Sequence, residues 1–141
     1  LFIRDRIIKG LGLYNVDSLV DTGNMVSLTT GSSLGVFDRD KIAGDTLRVG
    51  VGRHNEPYEG IGRGSLNIEG LPVIRDSVGG IGTPTSDHER TKVSPDTKMI
   101  SVCLNMYDSS YISPECAGKL LKDLLERHCA AKNIETIIRR P

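Results

Sequence analysis

A chain of 141 residues with 18 Lys and Arg against 18 Asp and Glu has room for one domain, or a small domain with a tail, and carries no formal net charge. That balance argues against nucleic acid or an anionic membrane as the main partner, since both select a positive excess, and no apolar run approaches the ~18 residues of a membrane span. With no Trp, four Tyr and two Phe the core has to be aliphatic, and 16 Gly point to many turns and a β-rich chain.

Leu1-Phe2-Ile3 reads as the start of a strand, with neither an initiator Met nor a signal-peptide pattern before it. The chain is therefore expected to be cut from a longer precursor or trimmed. Phe2-Ile3 and Ile7-Ile8, then Leu11, Leu13 and Val16 around Gly10 and Gly12, predict two short strands joined by turns. Leu19-Val20 is a brief apolar run that halts at Asp21-Thr22-Gly23, and Val26-Ser27-Leu28 resumes it as a second strand. Leu47-Arg48-Val49-Gly50-Val51 alternates with period two, residues 52–57 carry turn formers, and Gly60 to Ile68 alternates again, which predicts a glycine-rich, mobile hairpin. Residues 75–98 are polar and hold Gly79, Gly80, Gly82, Pro84, Asp87-His88-Glu89-Arg90 and Pro95, the pattern of a long functional or mobile loop. Met99 to Leu104 reads as a buried strand.

Ser113 and Pro114 then provide an N-cap and a first helical position, with Glu115 in the first turn. Cys116, Leu120, Leu121, Leu124, Leu125 and Cys129 share one face at helical spacing, opposite Lys119, Lys122, Asp123 and Glu126. Asn133 is a candidate stop, and Ile134, Ile137 and Ile138 a candidate strand. Cys103, Cys116 and Cys129 are an odd count at a spacing that matches no zinc pattern. They are expected to be reduced, partly buried thiols of an intracellular protein, and neither a metal nor a cofactor is expected. Arg127, Lys132, Arg139 and Arg140 make a mildly basic end, with no aromatic among them to stack on bases.

The order of a strand end, Asp21-Thr22-Gly23, a second apolar strand and then a glycine-rich hairpin resembles the retropepsin-like aspartic proteases of retroviruses and long-terminal-repeat retrotransposons. The matching stretch is Gly12 to Leu28, followed by a flap-like Val49 to Ile68. It departs from the family at Asn24, where Ala or Ser is usual, and at Tyr107 to Ser113, where the closing signature stands in altered form. The resemblance implies a mainly β fold, a closed barrel-like domain over residues 1–112 with 75–98 as a long loop. Residues 113–141 would then form a C-terminal helix and tail that packs on the domain or leads to a following one. It further implies an aspartic endopeptidase that processes its own polyprotein. Two carboxylates close together share one proton because both cannot ionise, and this chain offers one such motif, so activity would require a homodimer. Asp21 would supply the carboxylate, with Thr22 and Gly23 holding it. Val49, Gly50, Val51, Gly52 and Arg53 would fold over an extended peptide, with His54 a solvated loop residue. The partners expected are a second copy and a peptide or polyprotein, with no nucleic acid and no membrane. The expected location is the cytoplasm or an assembling particle, and the pH optimum mildly acidic. The alternatives are an inactive retropepsin-like dimerisation or binding module, and an unrelated β-rich interaction domain that uses the Cys116–Cys129 helix face.

Overall fold

A computed structural model describes residues 2–9, 16–106, 112–129 and 131–139. The predicted turns at Gly10 and Gly12, the start of the Gly12 to Leu28 match, and Tyr107 to Tyr111 lie outside them. The described chain divides into two compact units. The first comprises residues 1–40 and 93–141, and the second residues 41–92.

The first unit is built on a four-stranded sheet. β1 (Phe2–Lys9), β2 (Ser33–Asp38), β8 (Met99–Met106) and β9 (Lys132–Arg139) lie in the order β2-β8-β1-β9. Every pairing is antiparallel: Ile3 lies opposite Asn105 and Arg139, and Val36 opposite Val102. β2 and β9 are edges, so the sheet is open. This corrects the expected closed β-barrel. β1 is the first of the two predicted short strands, and Leu11 and Leu13 of the second lie outside the described residues.

Two fifteen-residue helices, α1 (Val16–Thr30) and α2 (Pro114–His128), pack against each other, α1 also against β2 and α2 against β9. α2 begins where the sequence places it. Ser113 takes an extended conformation, its hydroxyl accepts from the Cys116 N–H, and Pro114 fills the first turn, where a missing amide costs nothing. The core joins Leu19 and Val26 of α1, alternate residues Ile100, Val102 and Leu104 of β8, and Ala117, Leu121, Leu124 and Leu125 of α2. Cys129 joins this core, whereas Cys116 is exposed. Asn133, the candidate stop, lies instead inside β9 with a left-handed φ of 56°.

α1 occupies the segment read as strand–turn–strand. Its buried positions are Leu19, Thr22, Gly23, Val26 and Thr30, a stripe of period near 3.6, while Asp21, Asn24, Met25 and Leu28 are exposed. Leu19 and Val26 stand seven residues apart, two helical turns, and both meet the core. Two apolar runs at that separation satisfy a helix as well as two strands, and burial of one face decides for the helix.

The second unit has a small sheet of β3 (Arg48–Val51), β6 (Pro72–Arg75) and β7 (Gly80–Gly82), with β3 and β7 on either side of β6. β4 (Glu59–Gly60) and β5 (Gly64–Ser65) form a separate ribbon. The predicted hairpin of β3 with residues 60–68 therefore does not form. Val49 pairs with Ile74 and Val51 with Pro72, while the left-handed Gly62 and Gly64 turn the intervening chain back on itself. Tyr58, Ile68 and Val73 make a compact apolar cluster, flanked by Leu66 and Leu71. Residues 75–98 hold β7 and a 3-10 turn, Glu89–Thr91, with Ile81 and Thr91 fully buried.

The ends of each part are clasped. Lys41 donates through Nζ to the Lys92 carbonyl at 2.8 Å within the second unit. In the first, Asp38 accepts from the Thr97 hydroxyl at 2.8 Å and from the Asp40 N–H at 3.0 Å. No helix among the described residues is long and apolar enough to cross a membrane.

Candidate functional site

The three residues of the Asp-Thr-Gly motif are placed by the helix that contains them. Asp21 points to solvent. Thr22 is buried, its hydroxyl 3.6 Å from the Cys129 sulfur, a contact that partly offsets the upward push of burial on that thiol. Gly23 lies where α1 approaches β2: a Cβ there would come within 2.8 Å of the Leu34 side chain. Thr22 and Gly23 thus serve helix packing within one chain. Asp21→Asn is expected to change stability by no more than ~0.5 kcal/mol, as surface substitutions usually do. Denaturant unfolding of the two proteins tests this.

The chemistry-bearing residues gather in the second unit, around a cavity of about 1090 Å³. Arg48, Arg53, Arg75 and Arg90 line it with Glu56, Asp76 and His88, and its wall is continued by Thr46, Gly50 and residues 77–80. Of the five residues expected to form a flap, Val49, Gly50 and Arg53 line this cavity. Val51 is exposed on β3, and Gly52 is buried beneath the turn. His54 is exposed and meets Glu69 at 2.8 Å.

The Gly52–Pro57 segment is a tight turn for local reasons. The Glu56 N–H donates to the Arg53 carbonyl, Asn55 adopts a left-handed φ of 55°, and the Glu56 carboxylate accepts from the Arg53 N–H at 2.9 Å. The same carboxylate takes Arg75 in a two-point pair, from Nε at 3.0 Å and Nη2 at 2.6 Å, and Nη2 also donates to the Val51 carbonyl. The Arg75 bonds hold the Glu56 carboxyl below its usual range, against burial, with the Arg53 amide and the charges of Arg75 and Arg53 adding to the effect. Arg75 is raised in turn, chiefly by its bond to Glu56. Gly50 makes room for this pair, since a Cβ there would stand 2.7 Å from Arg75 Nη1.

Asp76 organises the opposite side. Its side chain is wholly buried and accepts five hydrogen bonds: from the N–H groups of Ala43 (2.8 Å), Val78 (3.0 Å) and Gly79 (3.1 Å), and from both terminal nitrogens of Arg90 (2.9 Å each). Burial alone would raise its pKa. The Arg90 bonds and the backbone amides outweigh that and hold the carboxyl well below the usual range.

His88 precedes the 3-10 turn, and its Nδ1 accepts from the Arg90 N–H at 2.9 Å. That bond assigns the ring proton to Nε2. Burial, and then the Arg90 charge, push the imidazole pKa down, so the ring is a neutral donor. The ring also packs edge-on against Tyr58, with centroids 5.0 Å apart. Tyr58 in turn donates to the Ser86 carbonyl at 2.6 Å. Among the described residues no three His, Cys, Asp or Glu side chains converge as metal ligands would.

Four guanidiniums face two carboxylates, which leaves two positive charges in a chain that is neutral as a whole. Sequence reasoning named Arg53 for a different purpose and missed Glu56, Arg75, Asp76 and Arg90. The signal within reach was the charged run Asp87 to Arg90 among glycines and prolines. The pairings across 19 residues (Glu56 and Arg75) and 14 residues (Asp76 and Arg90) follow no local period.

An open antiparallel sheet with two packed helices, and an inserted unit carrying an arginine-lined cavity, is not the closed barrel of a retropepsin. The chain belongs to the B3/4 domain family, whose model matches residues 1–122. It is 30% identical over 116 residues to the phenylalanine–tRNA ligase beta subunit of Bartonella quintana (strain Toulouse), and 29% identical over the same length to that of Bartonella henselae. Each alignment covers 75% of this chain, and the chain spans 13% of the length of each of those relatives. Its fold is similar to an N-terminal fragment of the phenylalanyl-tRNA synthetase beta subunit from Pyrococcus horikoshii. The TM-score is 0.75 at 19% identity, and the match covers 99% of this chain and 50% of that one.

These findings correct the protease reading. The family is not the retropepsins, and the expected aspartic endopeptidase, its polyprotein substrate and its viral or retrotransposon setting are withdrawn with it. The homodimer followed only from the need for a second Asp21, and goes as well. So does the exclusion of nucleic acid, because the relatives are ligases of tRNA. A zero net charge averaged over the whole chain concealed a local positive surplus, and local charge is what a phosphate meets.

Proposed function

We propose that this chain is a tRNA-directed module of the phenylalanine–tRNA ligase beta-subunit type, acting inside the cell, where tRNA is charged. The observation that carries this reading is the B3/4 match over residues 1–122. The cavity of residues 41–92 adds to it, because a net positive site fits a polyanionic ligand. The module contributes recognition of tRNA to a larger ligase rather than a complete aminoacylation reaction, in keeping with relatives of which it spans 13%.

The test is binding of the 141-residue chain to a phenylalanine-accepting tRNA, against an RNA duplex of equal length, at two salt concentrations. The expected result is tighter binding to tRNA, weakening as salt rises because counterions are released on contact with phosphates. Equal binding to both RNAs, or none at low salt, overturns the reading.

A further inference from the structure

The cavity of the second unit holds two kinds of arginine. Arg75 and Arg90 are engaged in two-point pairs with Glu56 and Asp76. Arg48 and Arg53 line the same cavity, and among the described residues neither forms an ion pair, although the Arg53 charge helps keep Glu56 ionised. Both carboxylates are already engaged by other donors. Glu56 already accepts from Arg75 and the Arg53 amide, and Asp76 from Arg90 and three amides. The acceptor nitrogen of His88 is occupied by the Arg90 amide, so the ring offers only a donor. The charged groups left for a ligand are thus the Arg48 and Arg53 guanidiniums, beside the Thr46 and Ser77 hydroxyls, and the unbalanced charge is two positive. A carboxylate or a phosphodiester would balance one of those charges, whereas a phosphomonoester, close to dianionic at neutral pH, balances both.

We propose that the cavity is a phosphomonoester subsite in which Arg48 and Arg53 hold the terminal phosphate of a nucleotide. The proposal deepens, and rests on, the tRNA-directed reading above. Two sources supply this chemistry, the 5′ end of an RNA and a free mononucleotide. At about 1090 Å³ the cavity has room for an attached nucleoside, and no Phe, Tyr or Trp lines it. The phosphate is therefore the anchor, and the base is read weakly or not at all.

Calorimetry on the 141-residue chain at low salt tests this with adenosine 5′-monophosphate, uridine 5′-monophosphate and adenosine. The two monophosphates are expected to bind within about threefold of each other, and adenosine at least about tenfold more weakly, the order of one charge-assisted contact. The double substitution Arg48→Gln and Arg53→Gln removes that advantage, while Arg53→Lys keeps most of it; both side chains are exposed, and circular dichroism verifies the fold. Adenosine binding as tightly as its monophosphate, or a double variant that binds the monophosphate normally, overturns the proposal. Comparing tRNA with and without its 5′ phosphate separates the sources. Weaker binding after dephosphorylation supports the RNA end, and unchanged tRNA binding beside arginine-dependent monophosphate binding supports the mononucleotide. If tRNA binds but neither monophosphate does, the subsite fails and the tRNA reading stands. If the monophosphates bind through both arginines and tRNA does not bind, the subsite stands and that reading fails.

Discussion

Asp76→Ala is expected to destabilise the chain by about 3–5 kcal/mol, the range found when one partner of a buried ion pair is removed. Three backbone amides and a guanidinium converge on this carboxylate, whose side chain has no exposure. Deleting it leaves the N–H groups of Ala43, Val78 and Gly79 without an acceptor and the Arg90 charge without its counter-ion. Arg90 retains 30% exposure, so water recovers part of its solvation, and the lower end of the range is the better figure. Urea unfolding measures the difference. The same group sets an acid limit. Its carboxyl is held below its ordinary range, so the folded chain binds that proton less readily than the unfolded chain. The stabilisation is complete above about pH 4, the ordinary carboxylate value, and is lost as pH falls through the lower folded-state value. Wild type and Asp76→Ala should therefore converge in stability as the pH is lowered beneath about 4. A gap that stays constant down to pH 2 would show that the carboxylate's charge is not what stabilises the loop.

Gly52→Ala is expected to cost roughly 3 kcal/mol, at the upper end of what overpacking usually costs. A Cβ on Gly52 would lie 1.8 Å from the Ile68 carbonyl oxygen, where real contacts stay beyond 3.0 Å, and the obstacle is main chain rather than a side chain that can swing away. Gly52 is also tied on both sides, its N–H donating to the Leu71 carbonyl at 2.8 Å and its carbonyl accepting from the Gly70 N–H at 3.0 Å. Relief of the clash must stretch both bonds and part β3 from the chain leading into β6. Arg53 follows directly, so the variant should also disturb the cavity. Gly79→Ala is the control: nothing lies within 4 Å of its Cβ position and its φ is not left-handed, so its unfolding midpoint should stay at or slightly above wild type. Equal losses at the two glycines would show that backbone entropy, not contact, governs both.

Parts of the molecule are legible in the sequence because local chemistry decides them. Ser113-Pro114 announces α2, and Leu121, Leu124 and Leu125 mark its buried face. Met99 to Leu104 reads as the central strand it becomes, and Ile134 to Ile138 as the edge strand β9. Other parts are decided by partners far along the chain. Leu19-Val20 and Val26-Ser27-Leu28 carry enough branched residues to read as strands. They become α1 because α2 and β8 bury the Leu19 and Val26 side of that segment, and once it is helical, Asp-Thr-Gly is no loop. Cys116 shares its neighbours' spacing yet stays exposed, since at the start of α2 the buried stripe runs through Pro114, Ala117, Gly118 and Leu121 instead. The cavity was half visible. Arg53 and Gly50 stand out in a glycine-rich turn, but what sets the cavity's charge is the neutralisation of Arg75 by Glu56 and of Arg90 by Asp76, and no spacing announces those pairs.

Both ends of residues 41–92 are clasped, by Lys41 on the Lys92 carbonyl on one side of the junction and by Asp38 on Thr97 and Asp40 on the other. Every strand of the four-stranded sheet lies outside that segment, and β2 and β8, which flank it in sequence, are hydrogen-bonded neighbours. The segment is thus an insertion in the connection between β2 and β8. Its length can drift, or the whole insert can be traded for another, without altering one strand pairing of the frame. Selection can then refine a new specificity in about fifty residues while the scaffold keeps its own.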